Sequence, residues 1–338
     1  MRASVRRVTA RLREPFVTAG GEMTERELLL LTVQDGEGHA GHGEAAPLRA
    51  APAEIEAALR DCLPVLAEHE AAQRQAALGQ CAAAAALPEA LAAVDLALWD
   101  LAGQRAGAPV WRLLGASRPP EVSVNATIAS PDRLGAARLA AAARERGFRT
   151  VKVKVGLGDD AGRLAAVRAA AGTEMAIRLD ANGAWTVEQA RAALTALAPV
   201  GIQLCEEPVH GLDQIAALRV DCPVPIAIDE SASEPGALDR RVCDAVCLKV
   251  ASCGGISGLL EAWRTARSAG YDVYLASSLD GPLGIAAALH AAALIRPELA
   301  CGLATLGMFA AGDPLAPRSG AMIPSPGSGL GQGLAEWY

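Results

Sequence analysis

Lysine and carboxylate side chains recur at regular intervals through the second half of the chain. Each stands in or just after a short hydrophobic run, which is typical of a buried strand. Steps of 20 to 28 residues separate Lys154, Asp180, Glu206, Asp229, Lys249 and Ser277. That interval matches one strand followed by one helix, so the same end of each parallel strand would carry a polar group. The pattern predicts a polar site at the C-terminal ends of neighbouring strands.

Strand alternation predicts which of these side chains point together. In the run Val151-Lys152-Val153-Lys154-Val155, successive side chains face opposite sides of the strand. Lys152 and Lys154 then share one face, and the three valines share the other. The valines suit packing against helices, so both lysines are predicted to face the site. The same rule points three further side chains together: Arg178, Asp180 and Asn182.

The charges at these strand ends do not balance. Five carboxylates stand against three lysines, which are Lys152, Lys154 and Lys249. The carboxylates are those of Asp180, Glu206, Glu207, Asp229 and Glu230. A buried charge without a partner costs several kcal/mol, so a divalent cation is a better explanation than a network of ion pairs alone. Carboxylates without His or Cys favour Mg²⁺, with Mn²⁺ as a substitute.

A divalent cation beside lysines suits one kind of chemistry. A cation bound to a substrate carboxylate stabilises the enediolate that forms when the α-proton leaves. A lysine can take that proton if the cation and a second lysine lower its pKa toward neutrality. We therefore expect a magnesium-dependent enzyme that acts on a small-molecule carboxylate and uses one of these lysines as the base.

Eight candidate strands alternate mostly with Ala-rich helical stretches, which predicts a (β/α) barrel. They are 122–129, 150–155, 176–181, 203–207, 226–230, 245–250, 272–277 and 301–305. A doubly wound sheet is less favoured, because no Gly-rich phosphate-binding fingerprint follows the first strand.

The N-terminal part does not follow this alternation of strands and helices. A strand at 28–33, a turn at 35–38 and helices at 53–69 and 88–105 are predicted there. We expect residues 1–112 to form an α+β capping domain, to which the tail 312–338 returns, and residues 113–311 to form the barrel.

Composition excludes several classes of protein. The net charge is -7 and no basic run is present, which argues against a nucleic-acid or membrane-surface partner. No apolar segment approaches the roughly 20 residues of a membrane span, and residues 1–16 lack the apolar core of a signal peptide. The eight cysteines form no C-x-x-C pair, so buried, reduced thiols in a cytoplasmic protein are expected. Assembly into a homo-oligomer stays open.

Several motifs resemble those of the enolase superfamily, in its muconate-lactonizing branch. They run in order along nearly the whole chain: Gly43-Glu44-Ala45-Ala46-Pro47, 93–100, Leu113-Leu114-Gly115, Lys-x-Lys at 152–154, Asp-x-Asn at 180–182, Glu-Glu-Pro at 206–208, Asp-Glu-Ser at 229–231, and Lys249 followed by Gly254-Gly255. The resemblance implies a (β/α)7β TIM-type barrel under an α+β cap. It also implies that Asp180, Glu206 and Asp229 bind Mg²⁺, and that Lys154 and Lys249 act as acid and base on opposite faces of the substrate.

Shorter patterns bear on the reaction. No His follows the seventh strand, which argues against the acid-sugar branch, and no Asp-x-Asp stands at 301–306, where dipeptide epimerases usually carry one. Ser277-Ser278-x-Asp280, Gly302-Leu-x-Thr305 and 124–127 look most like o-succinylbenzoate synthases. The resemblance therefore points to nine substrate-binding or supporting residues: Asn125, Asn182, Glu207, Glu230, Ser277, Ser278, Asp280, and Gly20 and Gly21 in the capping loop 15–23.

Four functions remain open. Dehydration to o-succinylbenzoate, a step of menaquinone biosynthesis, leads. Racemisation or epimerisation of an N-acylamino acid or dipeptide is second, and cycloisomerisation of a muconate-like lactone is third. A Schiff-base aldolase would also use a barrel lysine, but it needs no metal, so resistance to chelators and trapping by borohydride would distinguish it.

Overall fold

The N-terminal region is built on a three-stranded antiparallel sheet. The computed structural model describes residues 1–18, 21–47 and 49–338. The sheet has the order β1 (Arg2–Thr18), β2 (Gly21–Gln34) and β3 (Ala40–Ala45). The predicted strand at 28–33 is confirmed as the buried half of β2. Strand β1 was not predicted because charged residues interrupt its hydrophobic pattern.

Four helices complete this region: α1 (Pro52–Glu68), α2 (Arg74–Ala84), α3 (Pro88–Ala106) and α4 (Val110–Leu113). Helix α3 is buried on almost every side because it lies between the antiparallel sheet and the helices of the barrel. Strand β3 runs so close to α3 that a Cβ at Gly41 or Gly43 would collide with the α3 backbone. The two predicted helices are therefore confirmed, and glycine allows the sheet to touch the second of them.

The second region is a parallel sheet that curls into a barrel. Its seven strands, in spatial order, are β5 (Ala126–Ile128), β6 (Thr150–Lys154), β7 (Ala176–Asp180), β8 (Ile202–Glu206), β9 (Ile226–Ile228), β10 (Ala245–Leu248) and β11 (Asp272–Leu275). The helices between them are α5 (Arg133–Glu145), α6 (Asp160–Ala171), α7 (Val187–Leu197), α8 (Leu212–Arg219) and α9 (Ile256–Ser268), and α10 (Pro282–Ile295) follows β11. The predicted TIM-type barrel with an α+β cap is confirmed.

Two predicted strands differ from those observed. The run 122–129 is divided into β4 (Val122–Ser123) and β5. The run 301–305 is not a continuous strand, but single bridges from Cys301 to Val124 and from Gly302 to Ala276 close the gap between β11 and the first strand. The Thr305 N–H donates to the Leu303 carbonyl at 2.9 Å. This tight turn ends the pairing of 301–305 with its neighbouring strands after two residues.

The C-terminal tail contacts both regions. Its short strand β12 (Ala321–Met322) pairs with β4 at the start of the barrel. Further on, the Leu330 N–H donates to Asp100 of α3 at 2.8 Å, and the Tyr338 hydroxyl donates to Glu44 of β3. None of the described helices is long and apolar enough to cross a membrane.

Candidate active site

The five residues that anchored the prediction meet at one end of the barrel. Strands β6, β7 and β8 end at Lys154, Asp180 and Glu206, and Asp229 and Lys249 directly follow β9 and β10. In the strand register, Lys154 lies beside Asp180, and Asp180 lies beside Glu206. All five side chains are buried, and they form one charged cluster at the C-terminal ends of the strands.

Ion pairs join the members of this cluster. The Lys154 Nζ lies 2.6 Å from the Asp180 Oδ2, and the Lys249 Nζ lies 2.6 Å from the Asp229 Oδ2. The Lys152 Nζ bridges two carboxylates, at 2.7 Å from the Asp180 Oδ2 and 2.7 Å from the Glu206 Oε1. Lys152 and Lys154 therefore face the same side, as strand alternation predicts.

These pairs decide the protonation of the buried groups. Burial alone would raise the pKa of Asp180, but Lys152 and Lys154 outweigh it and hold this pKa below its ordinary value. Burial alone would lower the pKa of Lys249, but Asp229 outweighs it and raises this pKa. Burial raises the pKa of Glu206, although Lys152 opposes the rise. An added cation would further favour the ionised carboxylates.

Lys154 and Lys249 lie on opposite walls of the barrel. Three strands, β7, β8 and β9, separate β6 from β10 in the sheet. With the bridges at 301–302 as the eighth position, the two lysines stand four positions apart in a ring of eight. The three carboxylates lie on the strands between them, so a substrate bound over the carboxylates has one lysine on each side.

Glu207 does not join the cluster, which corrects the predicted count of five carboxylates. Its backbone has a φ of 40°, and its side chain turns toward the segment after β9. There its Oε2 accepts the Asp229 N–H at 2.7 Å, and its Oε1 accepts the N–H and the hydroxyl of Ser231. Burial raises the pKa of Glu207 to about 7. Glu207 supports the backbone that carries Asp229 instead of facing the substrate.

The remaining charges are consistent with a bound cation. Glu230 adds a fourth carboxylate to the cluster; its Oε1 accepts from the Asn182 amide at 3.0 Å, and its Oε2 is buried without a partner among the described residues. Four carboxylates thus face three lysines. Glu206, Asp229 and Cys247 also have ligand atoms within 4.8 Å of one another. The donor set suits a divalent cation.

Cys247 corrects the expectation that the site contains no cysteine. It stands two residues before Lys249 and so faces the same side of its strand. Asp180 falls outside the 4.8 Å group, and its Oδ2 is paired with both Lys152 and Lys154. Burial raises the pKa of Cys247 well above its ordinary value, which favours the neutral thiol.

A cavity of about 360 Å³ opens above the cluster. Ten predicted residues line it: Gly21, Lys152, Lys154, Asp180, Asn182, Asp229, Glu230, Lys249, Ser277 and Ser278. A larger cavity of about 600 Å³, between 116–122 and 292–297, contains neither these lysines nor these carboxylates. The chemistry therefore belongs to the smaller cavity.

Other predicted residues stand apart from the cavity wall. Asn125 is buried, and its N–H donates to the Cys301 carbonyl at 3.0 Å. Asp280 is buried behind the wall, where burial raises its pKa to about 6. Glu206 lies below the cavity as part of the charged cluster. Gly20 lies outside the described residues.

Several lining residues were not singled out in the sequence, although Phe16 and Met23 fall within the predicted capping loop 15–23, whose described residues belong to β1 and β2. Phe16, Met23 and Arg26 reach over the cavity from the antiparallel sheet, and Leu279 adds an apolar contact after β11. The Lys154 Nζ lies 5.7 Å from the centre of the Phe16 ring. The Arg26 Nε is buried and has no partner in the described part of the chain. Sequence spacing within the barrel cannot reveal Phe16, Met23 or Arg26, because these three belong to a different sheet.

Comparisons with known proteins agree with this geometry. Residues 1–115 match the mandelate racemase / muconate lactonizing enzyme N-terminal domain, and residues 135–337 match the enolase C-terminal domain-like family. A D-Ala-D/L-Ala epimerase from Cytophaga hutchinsonii is 30% identical over 97% of this chain and 94% of its own length. An o-succinylbenzoate synthase from Mycobacterium bovis is 41% identical over 60% of this chain and 64% of its own length.

A solved structure is similar over the full length. The dipeptide epimerase from Cytophaga hutchinsonii, in complex with Mg and the dipeptide D-Ala-L-Val, superposes with a TM-score of 0.90 at 27% identity. The match covers 99% of this chain and 97% of that one. These relatives are isomerases and lyases that share one kind of catalysis, in which Mg²⁺ assists. The chain is an enzyme of the enolase superfamily and belongs to its mandelate racemase/muconate lactonizing enzyme family.

Proposed function

We propose that this enzyme removes the proton α to a substrate carboxylate, with Lys154 and Lys249 as the residues that act on the α-carbon. The supporting observation is their position on opposite walls of one cavity, with carboxylates between them. Asp180, Glu206 and Asp229 would hold Mg²⁺. The bound ion would supply positive charge for the carboxylate oxygens, where negative charge develops as the proton leaves.

Lys154 is the proposed base. Its Nζ is held by the Asp180 Oδ2 at 2.6 Å and by the Asn182 Oδ1 at 2.8 Å. To act as a base, Lys154 must be the neutral amine: its two N–H bonds can donate to these two acceptors, which leaves its lone pair free to take the α-proton. Lys152 shares Asp180 with Lys154, which brings a second positive charge close to it.

We propose dehydration of the o-succinylbenzoate synthase type as the reaction. In a syn-elimination one lysine can take the α-proton and return it to the departing hydroxyl, because both events occur on one face. The wall at the eighth barrel position consists of Gly302 and Thr305, and neither carries the negative charge that a substrate ammonium would require. The similarity to the M. bovis synthase, 41% over 60% of this chain, also supports this reaction.

Racemisation of an N-acylamino acid or epimerisation of a dipeptide is the second candidate, and the comparisons support it equally. The Cytophaga epimerase matches this chain over a greater length than the synthase does. Two lysines on opposite walls also suit an exchange of protons on both faces. Glu22, exposed on β2 at the rim of the cavity, offers a carboxylate that could bind an ammonium group.

One set of assays separates these reactions. The full-length enzyme, loaded with Mg²⁺, is offered the cyclohexadiene precursor of o-succinylbenzoate, N-succinyl amino acids of each hand, and D-Ala-L-Val. Formation of o-succinylbenzoate is expected at the highest kcat/KM. Turnover of an amino-acid derivative or dipeptide, with an inert precursor, would favour the second candidate. Full activity after metal removal with excess chelator would contradict both.

We also propose that residues 1–112 and the tail 312–338 form one capping domain. The bonds from Leu330 to Asp100 and from Tyr338 to Glu44 support this division, whereas the pairing of β12 with β4 ties part of the tail to the barrel. In amide hydrogen exchange, residues 328–338 are expected to open with the same free energy as the N-terminal sheet. If they opened with the same free energy as the barrel strands, this division into domains would be contradicted.

A further inference from the structure

Each of the two carboxylate oxygens of Glu206 accepts a hydrogen bond from a different side chain. Its Oε1 accepts from the Lys152 Nζ at 2.7 Å, and its Oε2 accepts from the Tyr274 hydroxyl at 2.7 Å. All three polar groups lie inside the barrel, and Glu206 and Tyr274 are almost fully buried. Rotation of the carboxylate would break both bonds, and no bulk water is present to replace them.

The bond from Tyr274 crosses the interior of the barrel. Tyr274 lies on β11, and two strands, β9 and β10, separate it from Glu206 on β8. A lysine on one side and a phenol on the other thus hold the carboxylate between them. This arrangement restricts the directions in which its remaining lone pairs can point.

The phenol itself is held in place. The Arg178 guanidinium lies 5.2 Å from the centre of the Tyr274 ring, which is within the range of a cation–π contact. Arg178 is in turn fixed by the Gln203 side chain at 2.6 Å and by the Ala300 carbonyl at 2.6 Å. A buried ring between these groups has little freedom to move, so its hydroxyl is a fixed donor.

We propose that Tyr274 is a positioning residue that orients Glu206 for metal binding. The inference rests on the proposed role of Glu206 as a metal ligand. Groups that hydrogen-bond a ligating carboxylate orient it, and their loss typically weakens metal affinity about 10- to 100-fold. Tyr274 would act only through Glu206, and it would not touch the substrate.

Tyr271 provides a matched control. It is also fully buried, and it stands three residues earlier, just before β11. Its hydroxyl accepts the Val242 N–H at 3.0 Å and lies 3.0 and 2.8 Å from the Ala237 and Arg240 carbonyls. All of these partners are backbone groups, and none of them belongs to the charged cluster. Loss of this hydroxyl should affect folding without affecting the metal.

The test compares Tyr274→Phe and Tyr271→Phe with the wild type, each as full-length, metal-free protein. Isothermal titration with Mg²⁺ measures the Kd, and thermal unfolding followed by circular dichroism measures stability. The Kd of Tyr274→Phe is expected to rise roughly 10- to 100-fold, while that of Tyr271→Phe stays within about twofold. At saturating Mg²⁺, the kcat of Tyr274→Phe should recover toward the wild-type value.

Two outcomes would overturn the inference. Either Tyr274→Phe binds Mg²⁺ as tightly as the wild type, or both variants lose affinity equally, in which case the hydroxyl is merely structural. A wild type that binds no Mg²⁺ in the titration would instead overturn the proposed metal site, so the two failures are distinguishable.

Discussion

The two lysines that face each other across the cavity have different surroundings. Lys154 is held by Asp180 and Asn182, and it shares Asp180 with a second lysine, Lys152. Lys249 is held by Asp229 at 2.6 Å, and among the described residues no other lysine pairs with that carboxylate. Asp229 raises the pKa of Lys249, although its burial opposes the rise.

This asymmetry bears on the reaction. A protonated Lys249 suits electrostatic stabilisation of a developing anion, whereas Lys154 lies beside a second positive charge, which suits proton transfer. A dehydratase needs only one proton-transfer lysine, but a racemase needs two. The following changes test whether the two walls differ in function as they do in structure.

The largest effect is expected from the carboxylates that both walls share. Asp180→Asn, Glu206→Gln and Asp229→Asn should each abolish detectable turnover, because the metal supplies several kcal/mol of stabilisation and each 1.36 kcal/mol is tenfold in rate. Steady-state kinetics with circular dichroism as a folding control checks this. A folded variant with more than a tenth of wild-type activity would show that its carboxylate is not a ligand.

A smaller effect is expected on the Lys154 wall alone. Asn182→Ala removes one of the two acceptors that hold the Lys154 Nζ. A hydrogen bond to a charged group contributes about 1.5–3 kcal/mol, so kcat should fall roughly tenfold or more. The Mg²⁺ affinity should change little.

Asn125→Ala is the control for this experiment, since Asn125 was predicted to bind substrate but lies outside the cavity wall. It should leave kcat within about threefold, which is under 1 kcal/mol. If Asn125→Ala reduced kcat as much as Asn182→Ala, the contact with Lys154 would not explain the loss.

The last prediction concerns stability instead of activity, at a residue that does not line the cavity. His290 is fully buried between the Trp111 N–H and the Leu330 carbonyl, and burial lowers its pKa from 6.5 to about 4. Between these values the unfolded chain binds the proton and the folded chain does not. Stability is therefore lost as the pH falls through this window, by roughly 3 kcal/mol in total.

Urea unfolding of the wild type and His290→Gln from pH 7 to pH 4 isolates this effect. The stability advantage of the wild type should shrink as the pH falls. Asp280 and Glu44, whose pKa values burial raises to about 6 and about 7, titrate here with the opposite sign, but their contributions cancel in the difference. An advantage that is constant with pH would mean that His290 does not resist protonation.

Much of the charged cluster was predictable because its members follow a simple repeat. One β/α unit separates each from the next, and alternation along β6 placed Lys152 and Lys154 on one face. The same rule applies to Cys247 and Tyr274, which also face inward. They were not predicted because the prediction was based on lysine and carboxylate side chains, and neither residue is one of these.

Other features depend on local backbone or on distant packing. Glu207 lies outside the cluster because its positive φ redirects the side chain. Strand alternation cannot predict the direction of a side chain at such a position. The segment 301–305 has the composition of a strand, yet a tight turn at Thr305 ends its pairing. Arg26 and Phe16 reach the cavity from another sheet, so their role depends on how the two regions pack.

The most direct test of the unequal walls is α-proton exchange in heavy water, followed by NMR. Wild type, Lys154→Arg and Lys249→Arg are each given the dehydration substrate and N-succinyl amino acids of both hands. We predict that Lys249→Arg keeps measurable dehydration, reduced by about 10²–10³ as for loss of an oxyanion donor, and that Lys154→Arg keeps none. If each variant instead lost exchange with only one enantiomer, and the dehydration substrate were inert, the two lysines would be equivalent bases and their proposed unequal roles would be wrong.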